Sequence, residues 1–439
     1  MQSKPRFTLA VAGALALMAL PVHAEAGAGI GKYAVSAAMA ANPAEPTGPL
    51  TLDAAIVLAM AANPELSAAA NELRAVEGAV IQAGLLPNPE VSTSVEDTQN
   101  RATRTTTLQI SQMVELGGKR TARIASAERG RDVAMADLLG RRLEIRAATV
   151  AAFFEVLVAQ ERIQQMEDLL ALAQRATAAA SRRVVAGKVS PVEETKARVA
   201  EASAKVELGQ ARVDLTAARK RLVTTWGSAQ PRFSMAEGRT DQLPVLLSDE
   251  ELAARLDKAP QLARARHEVE RFTALAELAR AKRIPDVTVS LGAKRAEELG
   301  RNQAVVGLSI PLPVFDRNQG GLLEALRRAD KARDELHTAV LRLGAEVTGN
   351  HERLKALLME AQTLHQEIVP GARSAYEAAS KGYELGKFSF LDVLDAQRTF
   401  FQARTQYLRS LADAHRTAAE LERVLGAITL PSSATAEPL

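Results

Sequence analysis

The chain has 439 residues, a length that exceeds one ordinary core and predicts two or three structural units. Its formal net charge is only +3, and its cations form no basic stripe, so we expect no nucleic-acid partner. It contains no cysteine, which excludes disulfides and lipid attachment at an N-terminal cysteine.

The N-terminus is typical of a secretory signal peptide. Two basic residues precede an apolar run from Phe7 to Leu20, and a small-residue cleavage site follows and ends at Ala24. The alternative is a membrane anchor, but the run is short for a span of ~20 residues. We therefore predict that residues 1–24 are removed and that the mature chain is exported. Residues 25–50 are rich in Ala, Gly and Pro and are predicted to form an extended lead-in.

Short segments of the first half recur in the second half, in the same order and at nearly constant spacing. This pattern predicts two copies of one unit. The matching pairs are 63–66 with 259–262, 89–91 with 285–287, 187–188 with 386–387, and 226–227 with 425–426. The predicted organisation is repeat 1 at 51–227, a linker at 228–248, repeat 2 at 249–426 and a flexible tail at 427–439.

Each repeat is predicted to begin with a helix, at 52–84 or 249–283. Two short segments follow in which apolar and polar residues alternate, and strict alternation indicates strands with two different faces. These segments form the predicted hairpins 90–114 and 286–312.

Long helical hairpins are predicted to complete each repeat, at 121–226 and 320–425. The outgoing helices, 121–186 and 320–385, would each be on the order of 100 Å long. Apolar residues seven apart predict a coiled-coil seam between the two helices of each hairpin. On the returning helices these residues are Val192, Val199, Val206 and Val213 in repeat 1, and Leu394, Phe401 and Leu408 in repeat 2.

The fold class predicted is mainly α with a small β part. Backbone polar groups inside a membrane must all be paired, so membrane strands have to close into a barrel. Four strands are too few for a barrel with a lumen. We therefore expect several chains to pool their strands, and three chains would supply a barrel wide enough for an aqueous pore.

Two segments carry a resemblance to a known family. They are Val-Glu-Leu-Gly-Gly-Lys-Arg at 114–120 and Ile-Pro-Leu-Pro-Val-Phe-Asp-Arg-Asn-Gln-Gly at 310–320. With the repeat plan, they make the chain similar to TolC-like outer membrane efflux proteins, in the heavy-metal CzcC-type branch. The resemblance covers essentially the whole mature chain.

The resemblance implies a homotrimer whose outer-membrane β-barrel continues into an α-helical coiled-coil periplasmic tunnel. It implies a periplasmic adaptor protein, an inner-membrane resistance-nodulation-division pump and outer-membrane lipid as partners. The function implied is passive exit of heavy-metal cations of the cobalt, zinc and cadmium type. The same fold in drug efflux or type I secretion is an alternative, and a periplasmic coiled-coil scaffold is another.

The turns between the long helices lie at the periplasmic entrance in that family. Asp392 and Asp395, three residues apart near a helix start, are the candidate entrance carboxylates, and Glu193 is the matching residue of repeat 1. A carboxylate ring would concentrate cations. The alternative is that these acids only stabilise the helix dipole.

Several turn residues complete the candidate set. The hairpin-tip turns, which are also candidate adaptor contacts, contain Gly187, Lys188, Gly386 and Lys387. The strand-to-helix turns contain Gly117, Gly118, Asn318 and Gly320.

Neither a metal cofactor nor catalysis is expected. His337, His351 and His365 lie at equal steps along one helix, about 21 Å apart, too far to bind one ion together. The chain has no nucleophile motif and no complete phosphate-binding loop.

Overall fold

The computed structural model describes residues 45–238, 243–385 and 387–426. The predicted signal peptide, most of the lead-in and the predicted tail lie outside the described residues. Helices dominate the fold, and the first part of the chain contains β1 (Leu50–Thr51), α1 (Leu52–Ala62), α2 (Pro64–Gly84), β2 (Glu90–Glu96), β3 (Thr105–Val114), α3 (Lys119–Val185), α4 (Pro191–Thr224) and β4 (Ala236–Glu237).

The second part follows the same plan with one interruption. It contains α5 (Asp249–Asp257), α6 (Pro260–Ala281), β5 (Val287–Ala296), β6 (Arg301–Ser309), α7 (Gln319–Thr363), a π-helical turn (Leu364–Ile368), α8 (Val369–Glu384) and α9 (Phe390–Leu425). The predicted linker 228–248 contains β4, which pairs in parallel with β1.

The first predicted helix of each repeat is two helices, because a proline starts a new helix in both. Asn63 separates α1 from α2, and its side-chain oxygen accepts hydrogen bonds from the N–H groups of Glu65 and Leu66 at 2.8 and 3.0 Å. Its side-chain nitrogen donates to the carbonyl of Thr225 at 2.8 Å. These bonds cap α2 and fix the bend between α1 and α2 against the end of α4.

Among the described residues, no single helix has both the length and the apolar character needed to cross a membrane. The α1–α2 pair, bent by 42°, meets that requirement by length and composition only.

The second long helix is also interrupted, contrary to the prediction of one helix over 320–385. The π-helical turn separates α7 from α8, and Pro370 occupies the first turn of α8. Proline has no N–H and its ring clashes with the preceding helical turn, so a regular α-helix cannot continue through it unchanged.

The four longer strands form one antiparallel sheet in the order β2-β3-β5-β6. The register aligns Val91 with Ile110, Ile110 with Leu291, and Leu291 with Val306. The adjacent row, on the other face, contains Glu90, Ser111, Ser290 and Gly307. One face of the sheet is therefore predominantly apolar, and four of its large apolar residues are more than half exposed: Val91 at 64%, Leu291 at 55%, Val306 at 75% and Leu308 at 68%.

The helices continue the order of the strands. Next to the sheet, α3 packs between α2 and α6, and α6 packs against α7. Farther along, α3 packs between α4 and α9, and α9 packs against α7 and α8. Hence β2, α2 and α4 follow one edge of the layer, and β6, α7 and α8 follow the other.

The prediction that the valines of α4 form the coiled-coil seam with α3 is wrong within one chain. The side of α4 that faces α3 carries alanines, and Val192, Val199, Val206 and Val213 remain 57%, 61%, 73% and 62% exposed. The alanines Ala197, Ala204, Ala211 and Ala218 are each at most 3% exposed. On α9, by contrast, Phe401 and Leu408 are buried.

Glycines make the join between β3 and α3. Gly117 and Gly118 both have a left-handed φ, of 71° and 73°. A Cβ atom on Gly117 would lie 2.8 Å from the Ile284 side chain, whereas the space around Gly118 is open. The join is also held by Asp286, which pairs with Lys119 at 2.7 Å and accepts from the Leu116 N–H at 3.0 Å.

Gly117→Ala is expected to destabilise the protein more than the matched variant Gly118→Ala. Both variants force alanine into the left-handed region, at a cost of about 1–2 kcal/mol. Only Gly117→Ala also overlaps Ile284, which adds roughly 1–3 kcal/mol. Urea unfolding in detergent measures the difference, and equal midpoints for the two variants would contradict the close approach to Ile284.

Candidate functional site at the hairpin tips

The turns of the two helical hairpins lie at the same end of the layer. A buried cluster joins them, with Ala180 and Ala197 from the first hairpin and Ala379, Tyr383 and Val393 from the second. The small alanines let the four helices approach closely. This cluster therefore holds the two hairpin tips together within one chain.

The first tip has the geometry of a glycine-terminated helix. Gly187 has a φ of 67°, and its N–H donates to the Val184 carbonyl at 2.9 Å. The N–H of Lys188 donates to the Arg183 carbonyl at 2.9 Å, and the Lys188 side chain is exposed. At the second tip, the Lys387 N–H donates to the Gly382 carbonyl at 2.8 Å. Gly386 lies outside the described residues.

Asp392 serves as a helix cap. Its carboxylate accepts hydrogen bonds from the hydroxyl and from the N–H of Ser389, both at 2.8 Å. The Asp392 N–H in turn donates to the Ser389 hydroxyl at 3.3 Å, which completes a capping box. These bonds from Ser389 hold the pKa of Asp392 below its usual value.

Asp395 and Glu193 have different surroundings. Asp395 is exposed one turn along α9, and no ion pair within the described part of the chain includes it. Glu193 is half-buried in the first turn of α4, beside Glu194. Arg198 pairs with Glu194 at 2.7 Å, and the hydrogen bond from Arg198 lowers the pKa of Glu194.

The three predicted carboxylates do not form one cluster within a chain. In the described ranges, no group of three or more His, Asp or Glu side chains is placed to hold a metal ion. The assignment of Asp392, Asp395 and Glu193 to an entrance stays a prediction that concerns an assembly of chains.

Sequence reasoning missed the contact between Arg183 and Tyr383. The Arg183 guanidinium donates to the Tyr383 carbonyl at 2.8 Å and lies 4.1 Å from the centre of the Tyr383 ring. This contact ties the end of α3 to the end of α8. Arg182 and Arg183 look equivalent in the sequence, since only the packing shows which of them points at the second hairpin.

The three evenly spaced histidines have separate roles. The buried His351 lies with Nε2 3.0 Å from the Leu247 carbonyl. The His365 ring stacks on Tyr407, with 5.2 Å between ring centres, and His337 is exposed. The three rings therefore have different surroundings along α7 and its continuation, and their even spacing does not mark one shared site.

The strand-to-helix turns lie at the opposite end of the layer. Gly117 and Gly118 precede α3 directly, and Asn318, with a φ of 53°, precedes α7. The Asn318 side chain donates to the Ala279 carbonyl at 2.7 Å, which attaches α7 to α6. Gly320 lies one step inside α7, so it belongs to the helix and not to the turn.

An amphipathic four-stranded sheet therefore lies at one end of the layer, and two helical hairpin tips lie at the other. The model of the family described as outer membrane efflux protein matches residues 55–228 and 252–427. The chain belongs to this family of outer membrane efflux channels.

Individual relatives agree with this assignment. The chain is 49% identical over 384 residues to the cobalt-zinc-cadmium resistance protein CzcC of Cupriavidus metallidurans, a match that covers 88% of this chain and 92% of the relative. A crystal structure of a membrane protein from Pseudomonas aeruginosa is similar, with a TM-score of 0.75 and 19% identity, over 85% of this chain and 92% of that one. The channel CusC matches with a TM-score of 0.72, 19% identity and the same coverage. The two structures show the shared fold.

The two aspartates of α9 are expected to respond differently to substitution. Asp392→Ala should lower thermal stability because it removes the cap, whereas Asp395→Ala should leave stability nearly unchanged and weaken the cation preference of the channel. Since the pKa of Asp392 is depressed, its stabilisation is present above the ordinary aspartate pKa and is lost as the pH falls through the lowered value.

Thermal scans at several pH values and planar-bilayer recordings measure these two effects. An Asp395→Ala variant that forms channels with the cation preference and divalent block of the wild type would reject Asp395 as an entrance carboxylate. The double variant Asp392→Ala/Asp395→Ala extends the test to both residues.

Arg183→Ala is expected to loosen the hairpin tips, and the neighbouring Arg182→Ala serves as the control with the same loss of charge. Removing the bond from Arg183 to Tyr383 should cost about 1 kcal/mol, or ~5-fold faster amide exchange at the ends of α3 and α8. Hydrogen-exchange mass spectrometry measures this. Equal exchange in the two variants would show that the contact does not hold the tips together.

Proposed function

We propose that the chain is the outer-membrane exit channel of a tripartite efflux system for divalent heavy-metal cations of the cobalt, zinc and cadmium type. The observation that carries the metal assignment is the 49% identity to a cobalt-zinc-cadmium resistance protein over 92% of its length. A match of 384 residues in a chain of 439 includes the four-stranded sheet wherever the match begins.

The open sheet supports a homotrimer. The outer strands β2 and β6 each have one edge that no other described strand pairs, and unpaired backbone groups are costly in lipid. The strands have 7, 10, 10 and 9 residues, close to the ~9–11 that a bilayer requires. Joining β6 of each copy to β2 of the next closes a barrel, with the apolar face toward lipid and the polar face toward the lumen.

The helices would continue this barrel as a periplasmic tunnel. The layer of helices follows the same order as the strands, so a closed ring of strands brings the helices into a closed ring as well. The hairpin tips, at the end away from the sheet, then meet the adaptor protein and the inner-membrane pump. In this arrangement Lys188 and Lys387 are exposed positive charges in the turns of the two tips.

Export by a duct does not require tight metal binding. Conduction needs sites that attract an ion and release it again. Exposed carboxylates such as Asp395 attract cations in this way, and three copies would repeat each carboxylate around the axis. The chain would then pass what the pump delivers and would catalyse no reaction.

A pair of adjacent valines on β6 tests the proposal. Val306 lies on the apolar face, 75% exposed, and Val305 lies on the opposite face. A lysine on the lipid face of a membrane barrel costs roughly 2–4 kcal/mol near the midplane. In a strain that lacks the gene, Val306→Lys should therefore fail to restore cobalt, zinc and cadmium tolerance, whereas wild type and Val305→Lys should restore it.

Membrane fractionation, cellular metal content and tolerance to an organic antibiotic complete this experiment. The proposal expects Val306→Lys to be depleted from the outer membrane and the cells to accumulate metal. A deletion strain with unchanged metal tolerance but lower antibiotic tolerance would reject the metal assignment. Equal insertion of the two lysine variants would reject the lipid-facing side of the sheet.

A further inference from the structure

Helix α4 has two heptad faces on opposite sides. Its alanine face, Ala197, Ala204, Ala211 and Ala218, is buried against α3. Val199, Val206 and Val213 each lie two positions beyond one of these alanines. Val192 lies two positions beyond residue 190, where the same seven-residue spacing continues. Two positions correspond to about 200° around a helix. The valines therefore point directly away from α3.

This second side, the valine face, has no charged residue along its length. Its seven positions are spaced alternately three and four apart, and all are exposed. They are Val192, Thr195, Val199, Ala202, Val206, Gly209 and Val213. Spacing of this kind is the seam of a coiled coil, and the described part of the chain provides no helix to cover it.

Helix α8 and the π-helical turn carry a second uncharged stripe, the small-residue face. It contains Ile368, Gly371, Ala375, Ala378, Gly382 and Leu385. Ile368 is 45% exposed and Leu385 64% exposed, and Gly371, Ala375 and Ala378 are exposed as well. Phe388 of the tip covers Gly382. This face has the same alternating spacing as the valine face.

The two faces fit each other in antiparallel register. Helix α4 starts at the hairpin tips and α8 ends there, so residues at equal distances from the tips come to the same height. Val192 then lies level with Leu385, Val199 with Ala378, and Val206 with Gly371. The intermediate positions Thr195, Ala202 and Gly209 lie level with Gly382, Ala375 and Ile368. Four of the six levels pair a larger side chain with a smaller one, which suits close helix packing, whereas Val192 meets Leu385 and Ala202 meets Ala375.

One chain cannot bring these faces together, because α3 and α9 lie between α4 and α8. We propose that the valine face of α4 packs against the small-residue face of α8 in the next copy of the chain. The inference rests on the proposed trimer and assigns its helical seam. It is supported by the strands, since β2 lies on the same edge as α4 and β6 on the same edge as α8.

The absence of cysteine from the whole chain allows a direct cross-linking test. The pair Val199→Cys/Ala378→Cys places one sulfur on each face at the same height, within the distance that a disulfide spans if the seam forms. Val206→Cys/Gly371→Cys is a second pair, and a Cβ on Gly371 meets no other atom within 4 Å. The control pair Lys205→Cys/Arg373→Cys lies within one residue of the same height and is exposed at both positions, but it lies off both faces.

After mild oxidation of detergent-purified protein, both seam pairs should give covalent dimers and trimers on non-reducing gels. The yield should be at least several-fold above that of the control pair, and each single-cysteine variant should remain monomeric on the gel. Native mass spectrometry of the same samples reports whether three chains are present. Co-expression with the adaptor protein, followed by treatment with a maleimide–succinimidyl cross-linker that joins a cysteine to a nearby lysine, reports whether Val199→Cys links to that partner.

The results of these experiments distinguish a failure of the proposed helical seam from a failure of the proposed trimer. Intact trimers in which neither seam pair cross-links above the control would overturn the seam and leave the proposed function standing. Linkage of Val199→Cys to the adaptor protein, with none between copies of the chain, would also overturn it. A wild-type protein that is monomeric in detergent would overturn both the seam and the trimeric channel.

Discussion

The structure depends on one constraint: the strands and the helices form a layer in which every element must pack or pair with a neighbour on each side. Only the elements at the two edges of the layer have a neighbour on one side alone. Strands β2 and β6 leave a row of backbone donors and acceptors at those edges. Water can satisfy such groups but lipid cannot, so a sheet of this kind is stable in a membrane only when its edges meet. The helices obey the same order through packing of side chains, which is why the central helix α3 and the strand β3 have partners on both sides.

The two repeats show how one sequence pattern takes different roles in this layer. Helix α9 lies inside the layer, and its heptad residues Phe401 and Leu408 are buried. Helix α4 lies at the edge, and the valines of the same pattern are exposed. Heptad spacing of apolar residues predicts that another helix will cover them, but it does not identify that helix. This is the physical reason why the valine seam was assigned to the wrong neighbour from sequence.

Much of the architecture could be predicted because it rests on periodicity. Alternation over 90–114 and 286–312 predicted the strands, and long runs of helical spacing predicted α3 and α7. The breaks were harder, since proline starts α2 and α6 but interrupts the second long helix at Pro370. The Arg183–Tyr383 contact depends on how the two hairpins pack at a distance in sequence, and no local pattern contains that information.

At the hairpin tips, two aspartates of α9 have the same charge but different hydrogen-bond partners, and this difference bears on the proposed entrance. The carboxylate of Asp392 is held by Ser389, so its negative charge stabilises the start of α9 and its orientation is fixed. Asp395 is exposed, with no ion pair among the described residues, so its charge would be available to a cation if the tips form the proposed entrance. A cation crossing a narrow entrance must exchange part of its hydration shell for such oxygens and then recover it. In the proposed trimer, exposed carboxylates repeated around the axis would favour that exchange, whereas a capped carboxylate such as Asp392 mainly stabilises the helix that positions them.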